Sequence, residues 1–447
     1  MQSQNKNKFY IESLGCAKNQ VDSEVIYHNL EQKGWGYVEN AEQADLIIVN
    51  SCGFIQPAKE ETIETVLSLR KAYPDKKVLL AGCFAQRYGK DLLTQLPEID
   101  GVFGNHDLGQ VETVSRQVME GERPVILPNR KYSPAYRSRL FSFPRSSYVK
   151  ISEGCNHRCS FCAIPLIRGP LNSNPIDEIV RQIRELLGQG IVEINLIAQD
   201  LAAYGGDRGA SEFPLLLRRI SEISGDFWIR LLYIHPDNFP IEILSIMKDD
   251  PRILPYFDIP FQHGSRRVLR RMGRSGTASE YLHLIEKIRD ELPDTIIRST
   301  LMVGFPGEGR REFKELQQFQ RDAQFDWAGV FVFSREEGTP AFSMRSGLGD
   351  RLSAGRAQKR KETLEAAQRE ISALRTDRFV DRTVRVLVEE EVPGEALSLG
   401  RAYMHAPEVD GSAIILSDSV KPGDWVDMKV VKRNNFDIEV VPRHELV

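Results

Sequence analysis

The chain has 447 residues, 41% of them hydrophobic and 27% charged, and a net charge of −4. That length exceeds one ordinary core and points to roughly three domains of a soluble globular protein, not a fibrous or disordered one. No apolar run approaches the ~18 residues of a membrane span, and the opening MQSQNKNKFYIESLGC has no apolar signal core. A cytoplasmic protein with no membrane partner is therefore expected. Its six cysteines are then metal ligands or reactive thiols before they are disulfides. The negative balance makes the chain as a whole no obvious nucleic-acid binder.

From Phe9 to about Arg123 strand and helix alternate. FYIESLG is a strand, and NQVDSEVIYHNLEQKG a helix with Val21, Val25, Ile26 and Leu30 on one side. ADLIIVN is a continuous apolar strand of the buried parallel type. PAKEETIETVLSLRKAY is a helix opened by Pro57, and KKVLLAG a third strand. GVFGN and the helix around LGQVETVSRQVME complete a doubly wound parallel sheet. Cys16, Cys52 and Cys83 each stand just after one of these strands, in SLGC, NSCG and GCFA. The carboxyl ends of parallel strands share one edge, where ligands bind, so three thiols distant in sequence converge there. Two readings apply. The thiols hold a second cluster with one open iron, or they are small apolar residues packing strand ends. Their recurrence at equivalent ends favours the first.

Residues 124–146 carry Pro, Ser and basic residues with little periodicity and read as a linker. Their interleaved Arg, Tyr and Phe would suit RNA contact, but a solvated linker is the plainer expectation.

The next stretch, KISEGCNHRCSFCAIPLIR, holds Cys155, Cys159 and Cys162 in a C-x3-C-x2-C run. This is not the paired spacing of a zinc ribbon, nor does it supply the fourth nearby cysteine of a ferredoxin run. Three cysteines on a four-iron cluster leave one iron open to a substrate or cofactor. From Ser147 onward, strand–helix alternation resumes through SYVKISEG, VEINLIAQD, FWIRLLYIHP, ILPYFDIPFQ, TIIRSTLMVGFPGE and WAGVFVFS. Six strands with intervening helices predict a partial TIM-like (β/α)6 barrel, whose chemistry belongs at the carboxyl ends of the strands. The cysteine loop, Gln199-Asp200, His235, Gln262-His263 and Gly304–Glu308 all fall there.

GRAQKRKETLEAAQREISALRTDRFV is a long amphipathic helix whose basic run reads as a solvated face. From about Thr376 the chain turns all-β, with strands at TVRVLVEEE, RAYMHAP, SAIILS, WVDMKVVKR and FDIEVV. These predict a small OB-like closed barrel. Residues 379–447 hold 13 acidic and 8 basic side chains, a balance of −5. That opposes phosphate binding and suits either a basic protein partner or simple solubility.

At this point the chain resembles a known family over nearly its whole length. The cysteine loop, with Phe161 before its third cysteine, looks like that of the radical S-adenosylmethionine enzymes. An N-domain with three cysteines, such a barrel and a TRAM-like C-terminal module together resemble the methylthiotransferases. SLGCAKNQVDSE, KISEGCNHRCSFCAIPLIRG, DIPFQHGS, RSTLMVGFPGE and RAYMHAPEVDG look like the branch that methylthiolates the β-carbon of an aspartate in ribosomal protein S twelve. The resemblance implies an α/β multidomain chain. It has a Rossmann-like domain at 8–123, a linker at 124–146, a radical S-adenosylmethionine core at 147–375 and a TRAM barrel at 376–442. It implies two [4Fe–4S] clusters, one on Cys16, Cys52 and Cys83 and one on Cys155, Cys159 and Cys162. It also implies S-adenosylmethionine contacts at Phe161, Gln199, Arg298 and Gly304. Two molecules of that cofactor are used, one as methyl donor to sulfur and one for the radical. The implied partners are ribosomal protein S twelve or the small subunit, an external low-potential donor such as a flavodoxin or ferredoxin, and a sulfur donor. A tRNA adenosine methylthiotransferase, or a non-catalytic iron–sulfur sensor or scaffold, are the alternative readings. One departure is Leu201 in LIAQDLAAYG, where many relatives have Thr, so no hydroxyl role is expected there.

Overall fold

A computed structural model describes residues 7–129, 136–344 and 354–445. The first unit runs β1 (Lys8–Ser13), α1 (Ala17–Gln32), β2 (Gly36–Tyr37), β3 (Leu46–Ser51), α2 (Gln56–Ala72), β4 (Lys77–Ala81), α3 (Gly82–Gln95), β5 (Gly101–Phe103), α4 (Val111–Met119) and β6 (Val125–Ile126). Its sheet is parallel, in the order β2-β1-β3-β4-β5-β6. Every residue of β3 is buried, because helices cover both faces of a central parallel strand. Phe9, Ile26, Leu30, Ile48 and Val114 pack one face, and Val49, Val66, Leu80, Phe84 and Leu92 the other.

The sheet reaches past the expected boundary at 123. β6 pairs with β5 through Val102↔Val125 and Phe103↔Ile126. The described part of the expected linker is not a solvated strand of cations. Arg137 Nη1 donates to Glu24 Oε2 at 2.7 Å and to the Tyr148 carbonyl at 2.8 Å. The Arg139 guanidinium lies 4.8 Å from the Tyr37 ring centre. These Arg–aromatic pairs are spent on packing over α1 instead of being offered to RNA. Residues 130–135 of that segment lie outside the described residues.

The second unit comprises β7 (Ser146–Lys150), β8 (Ser152–Glu153), α5 (Ile164–Ile167), β9 (Asn172–Ser173), α6 (Ile176–Gly188), β10 (Glu193–Ile197), α7 (Phe213–Ser221), β11 (Trp228–Leu232), α8 (Ile243–Asp249), β12 (Ile253–Asp258), α9 (Arg266–Arg271), α10 (Ala278–Glu291), β13 (Ile296–Val303), α11 (Arg310–Ala323), β14 (Trp327–Val332) and α12 (Ala354–Asp377). Six parallel strands, β7-β10-β11-β12-β13-β14, make an open, TIM-like sheet. Ile179, Ile183, Leu216, Ile243, Ile285 and Leu316 seal the outer helices onto it. The basic run in α12 is only partly solvated. Arg360 pairs with Glu308 and lies 4.8 Å from the Phe313 ring centre.

The third unit, β15 (Thr383–Glu391), β16 (Ser398–Ala402), β17 (Ala413–Ile415), β18 (Trp425–Asn434) and β19 (Asp437–Pro442), is a closed barrel, later-starting than expected because α12 runs to Asp377. RAYMHAP is not a strand to its end. β16 stops at Ala402, and the chain from Tyr403 to Gly411 enters the floor of the six-stranded barrel. There Trp327 Nε1 donates to the Met404 carbonyl at 2.8 Å, Arg230 Nη1 to the Tyr403 carbonyl at 2.7 Å, and Tyr256 Oη to Asp410 Oδ2 at 2.6 Å. Val386, Ile415, Met428 and Val440 of the small barrel share one apolar cluster with Tyr148, Trp228, Tyr256 and Trp327 of the large one. No helix among the described residues is long and apolar enough to cross a membrane.

Candidate metal and cofactor site

Cys16, Cys52 and Cys83 follow β1, β3 and β4, which are adjacent strands of one sheet, so their thiols share its carboxyl edge. Glycines let the three loops close up. Gly15 has φ +95°, and a Cβ there would lie 2.9 Å from Cys52 Cβ. A Cβ on Gly53 would lie 2.7 Å from Phe84 Cα. Asn19, in the first turn of α1, ties the loops together. Its Nδ2 donates to the carbonyls of Leu14 and Ser51 at 2.9 and 3.0 Å. Burial pushes the Cys83 thiol up to about 12 and raises that of Cys52, while Cys16 is exposed.

The second trio sits on the loop after β8. Cys155 N donates to the Gly169 carbonyl at 3.1 Å and Cys162 N to the Cys159 carbonyl at 3.1 Å. Ser160 anchors the loop to the barrel, N to the Met272 carbonyl at 2.9 Å and Oγ to the Arg271 carbonyl at 2.7 Å. Burial raises all three thiols, Cys155 to about 11 and Cys162 to about 12. All six cysteines are free of disulfides. Among the described residues no three His, Cys, Asp or Glu side chains close around a single ion. A multi-iron cage needs the opposite, ligands spread over separate corners. Two sets of three free thiols, each without a fourth cysteine, are a donor set that suits such cages.

One cysteine of the first trio touches the loop of the second across the seam between the first and second units. Cys83 packs against Ala163 and Ile167, in the turn that follows Cys162. Arg168 is the clamp. Its Nη1 reaches Asp22 Oδ2 at 2.7 Å and Glu153 Oε1 at 3.2 Å, and its Nη2 reaches Asn19 Oδ1 at 2.8 Å and Cys83 Sγ at 3.1 Å. Lys150 Nζ adds an ion pair to Asp22 Oδ1 at 2.6 Å. Farther out, Lys59 and Arg87 of the first unit both hold Glu336 of the second, at 2.9 and 2.7 Å. Buried pairs of this kind do little for net stability, but breaking one leaves a stranded charge.

Of the residues expected to touch S-adenosylmethionine, three line the cysteine rim. Phe161 meets Phe305 edge-on at 6.5 Å. Gln199 follows β10; its Nε2 lies 3.5 Å from Glu153 Oε2, and its buried Oε1 has no protein partner. Gly304, at φ +79°, donates its N–H to Glu308 Oε2 at 2.6 Å. Arg298 is placed differently. It is the third residue of β13, below the rim, and its guanidinium is held by Asp258 at 3.3 Å and Asp410 at 3.2 Å. A groove of about 510 Å³ beside β14 and α12 is lined by Arg298 but by none of the six cysteines, so the site is located by its donor set and not by that hollow.

Several rim residues act together. His157 Nε2 and Asp200 Oδ2 are 2.6 Å apart, and the His157 and His235 rings stack at 4.1 Å. Asp200 Oδ1 accepts from the N–H of His235 at 2.9 Å. Burial and the neighbouring cations hold His235 down at about 3, so it is neutral at physiological pH. His263 is likewise held at about 3 by burial, and its Nε2 is 3.9 Å from Glu308 Oε2. Sequence reasoning missed the polar residues that close the seam. Lys18, Asn19, Asp22, Ser23 and Glu24 are all buried on α1. The available signal was five polar residues crowding the start of a helix beside a cysteine.

Comparison with known proteins agrees with this layout. The model for the uncharacterized protein family UPF0004 matches residues 8–104, the radical SAM superfamily residues 149–319, and the TRAM domain residues 380–441. The solved structure of the radical S-adenosylmethionine methyltransferase TsrM from Kitasatospora setae has a TM-score of 0.56 at 15% identity, covering 75% of this chain and 74% of that one, a likeness of fold. The ribosomal protein uS12 methylthiotransferase RimO of Treponema denticola is 43% identical, covering 96% of this chain and 99% of the relative. That of Carboxydothermus hydrogenoformans is 40% identical, covering 97% and 98%. With identity at that level over nearly the whole of each chain, the chain belongs to the ribosomal protein uS12 methylthiotransferase RimO family.

Proposed function

We propose that this protein is a methylthiotransferase that adds a methylthio group to the β-carbon of an aspartate in ribosomal protein uS12. The observation that carries the reading is the packing of Cys83 on the turn after Cys162, which brings the two cysteine-bearing loops together. When bound, the cluster at Cys155, Cys159 and Cys162 would supply one-electron reduction of S-adenosylmethionine, and the one at Cys16, Cys52 and Cys83 would hold the sulfur to be transferred.

The chain's own residues position and enclose. Arg168 holds the two loops in register through Asp22, Asn19 and Glu153. Ala163 and Ile167, fully buried, keep water out of the seam. The stacked His157 and His235, braced by Asp200, and the unpartnered Gln199 Oε1 offer polar contacts to S-adenosylmethionine. Glu308, held by Arg360, fixes the Gly304 turn that would carry backbone donors to it. Tyr403–Gly411 closes the barrel floor, so the C-terminal module completes the cavity. We assign the domains as 8–126 for the first cluster, 146–377 for the radical core and 380–441 for the small barrel.

Reducing equivalents come from an external low-potential donor of the flavodoxin or ferredoxin class, and sulfur from a separate donor. A protein that modifies a ribosomal protein works in the cytoplasm. The test is anaerobic iron and sulfide reconstitution, then incubation with S-adenosylmethionine, reductant, small-subunit proteins and tRNA. Mass spectrometry is expected to find one methylthio group on uS12 and none on tRNA. The group on tRNA adenosine would establish the rival substrate. Failure to form 5′-deoxyadenosine would leave only a sensor or scaffold.

A further inference from the structure

Lys18 is a buried cation with no counter-charge in contact. It lies two residues after Cys16 in the first turn of α1, 9% exposed, and its Nζ sits 4.2 Å from the centre of the Tyr233 ring. Tyr233 follows β11 at the rim of the six-stranded barrel, with a left-handed backbone (φ +70°) that costs a non-glycine residue energy. The ammonium thus reaches from the first unit across the seam to the barrel rim.

The neighbouring cations are all paired. Lys150 and Arg168 take Asp22 and Glu153, and Arg298 takes Asp258 and Asp410. Among the described residues, Lys18 has no ion-pair or hydrogen-bond partner. The charges that face it are Cys16, Glu153, Lys150 and Arg168 around it and Asp258 below it. An ammonium removed from water without an anion is costly, and an arriving carboxylate would relieve that cost. A ring face at 4 Å stabilises the cation in the meantime.

We propose that Lys18 binds the carboxylate of the substrate side chain and so selects an acidic residue over a neutral one. The inference rests on the methylthiotransferase reading above. In that reaction the carbon that gains sulfur is bonded directly to the carboxyl carbon. A cation two residues from Cys16, over the barrel rim, holds that carbon between the two cysteine trios. Lys18 is a positioning and specificity residue in this account, not an acid or base.

The test uses reconstituted full-length enzyme, wild type, Lys18→Met and Lys18→Arg, matched for iron content. The substrates are uS12 with aspartate or asparagine at the modified position. Binding is read by fluorescence anisotropy before reduction, and turnover by the methylthio product. Wild type is expected to favour aspartate about a hundredfold in kcat/KM, carried mostly by KM. Lys18→Met is expected to treat the two alike, in binding and in turnover. Lys18→Arg is expected to keep the aspartate preference with a raised KM, which a merely structural lysine would not require. A Lys18→Met enzyme that still prefers aspartate as wild type does overturns the role of Lys18 alone. If Lys18→Met loads no iron, wild-type and Lys18→Arg enzymes that bind both substrates equally overturn it. Wild type that modifies neither uS12 defeats the underlying reading, and this inference with it.

Discussion

Arg401 grips Glu193 with two hydrogen bonds, Nη1 to Oε1 at 3.0 Å and Nη2 to Oε2 at 2.6 Å. Through that contact the C-terminal barrel is fastened to the inside of the radical barrel. Arg230 donates to the same carboxylate at 2.9 Å, and the Glu193 and Arg230 side chains are fully buried. The small module is thereby part of the floor of the site, not a tethered appendage.

Replacing that carboxylate strands two buried guanidinium groups. Glu193→Gln is expected to cost about 3–5 kcal/mol in urea denaturation. A double change to apolar residues at Glu193 and Arg401 is expected to cost less than the single one, since no charge is then left unpaired.

The same group sets an acid limit. Burial alone would raise the Glu193 carboxyl, but the charges of Arg401 and Arg230 overcome this and hold it at about 2, against an ordinary 4.5. A lowered folded-state pKa stabilises fully above the unfolded value and loses that stability as the pH falls toward the folded one. About 3 kcal/mol is expected to disappear between pH 4.5 and 2 in wild type, and this increment is expected to be missing in Glu193→Gln. Denaturation series across that window check it.

Arg168→Met removes the seam clamp. Asp22 and Glu153 keep Lys150 but lose the guanidinium that joins them to Asn19 and Cys83, and the first unit is expected to loosen by about 2 kcal/mol. The readouts are faster proteolysis within 124–146 and loss of methylthio product out of proportion to loss of 5′-deoxyadenosine.

Gly154 precedes the first cysteine of the loop at φ +75°, and a Cβ there would lie 2.1 Å from the Pro170 carbonyl oxygen. Gly154→Ala is expected to cost about 2 kcal/mol and to lower iron uptake at Cys155, Cys159 and Cys162. Gly188→Ala, at a site with nothing within 4 Å of the added methyl, is expected to leave both unchanged.

Thiol accessibility gives an independent check on iron-free protein. Burial raises Cys83 and Cys162 to about 12, so both are protonated at pH 8, and Cys83 is also shut away from solvent. Timed alkylation is expected to label exposed Cys16 first and those two last.

Much of this was legible in the residues. LIIV within ADLIIVN and VLLAG within KKVLLAG are apolar without interruption because parallel strands are covered on both sides, and that placed three cysteines on one edge. Two-residue strands such as Gly36–Tyr37 and Val125–Ile126 were not, since so short a segment carries no periodicity. The buried polar face of α1 was hidden for a different reason. Hydrophobic patterning assumes that a helix buries its apolar side, whereas α1 is also covered by a second domain on its polar one. The first part of the plug, Tyr403–Pro407, read as strand because its neighbours alternate properly, and its partners Trp327 and Arg230 lie 77 and 173 residues away in the chain. Arg298 looked like a rim contact from its motif, but its side chain is held below the rim by the acids Asp258 and Asp410.

The most direct test of two cysteine trios serving one reaction is a chain carrying Cys16→Ala, Cys52→Ala and Cys83→Ala together, reconstituted and assayed beside wild type. It is expected to bind half the iron, to cleave S-adenosylmethionine to 5′-deoxyadenosine under reduction, and to leave uS12 unmodified. Methylthio-aspartate formed by that variant, or full iron loading without the three thiols, would contradict the account.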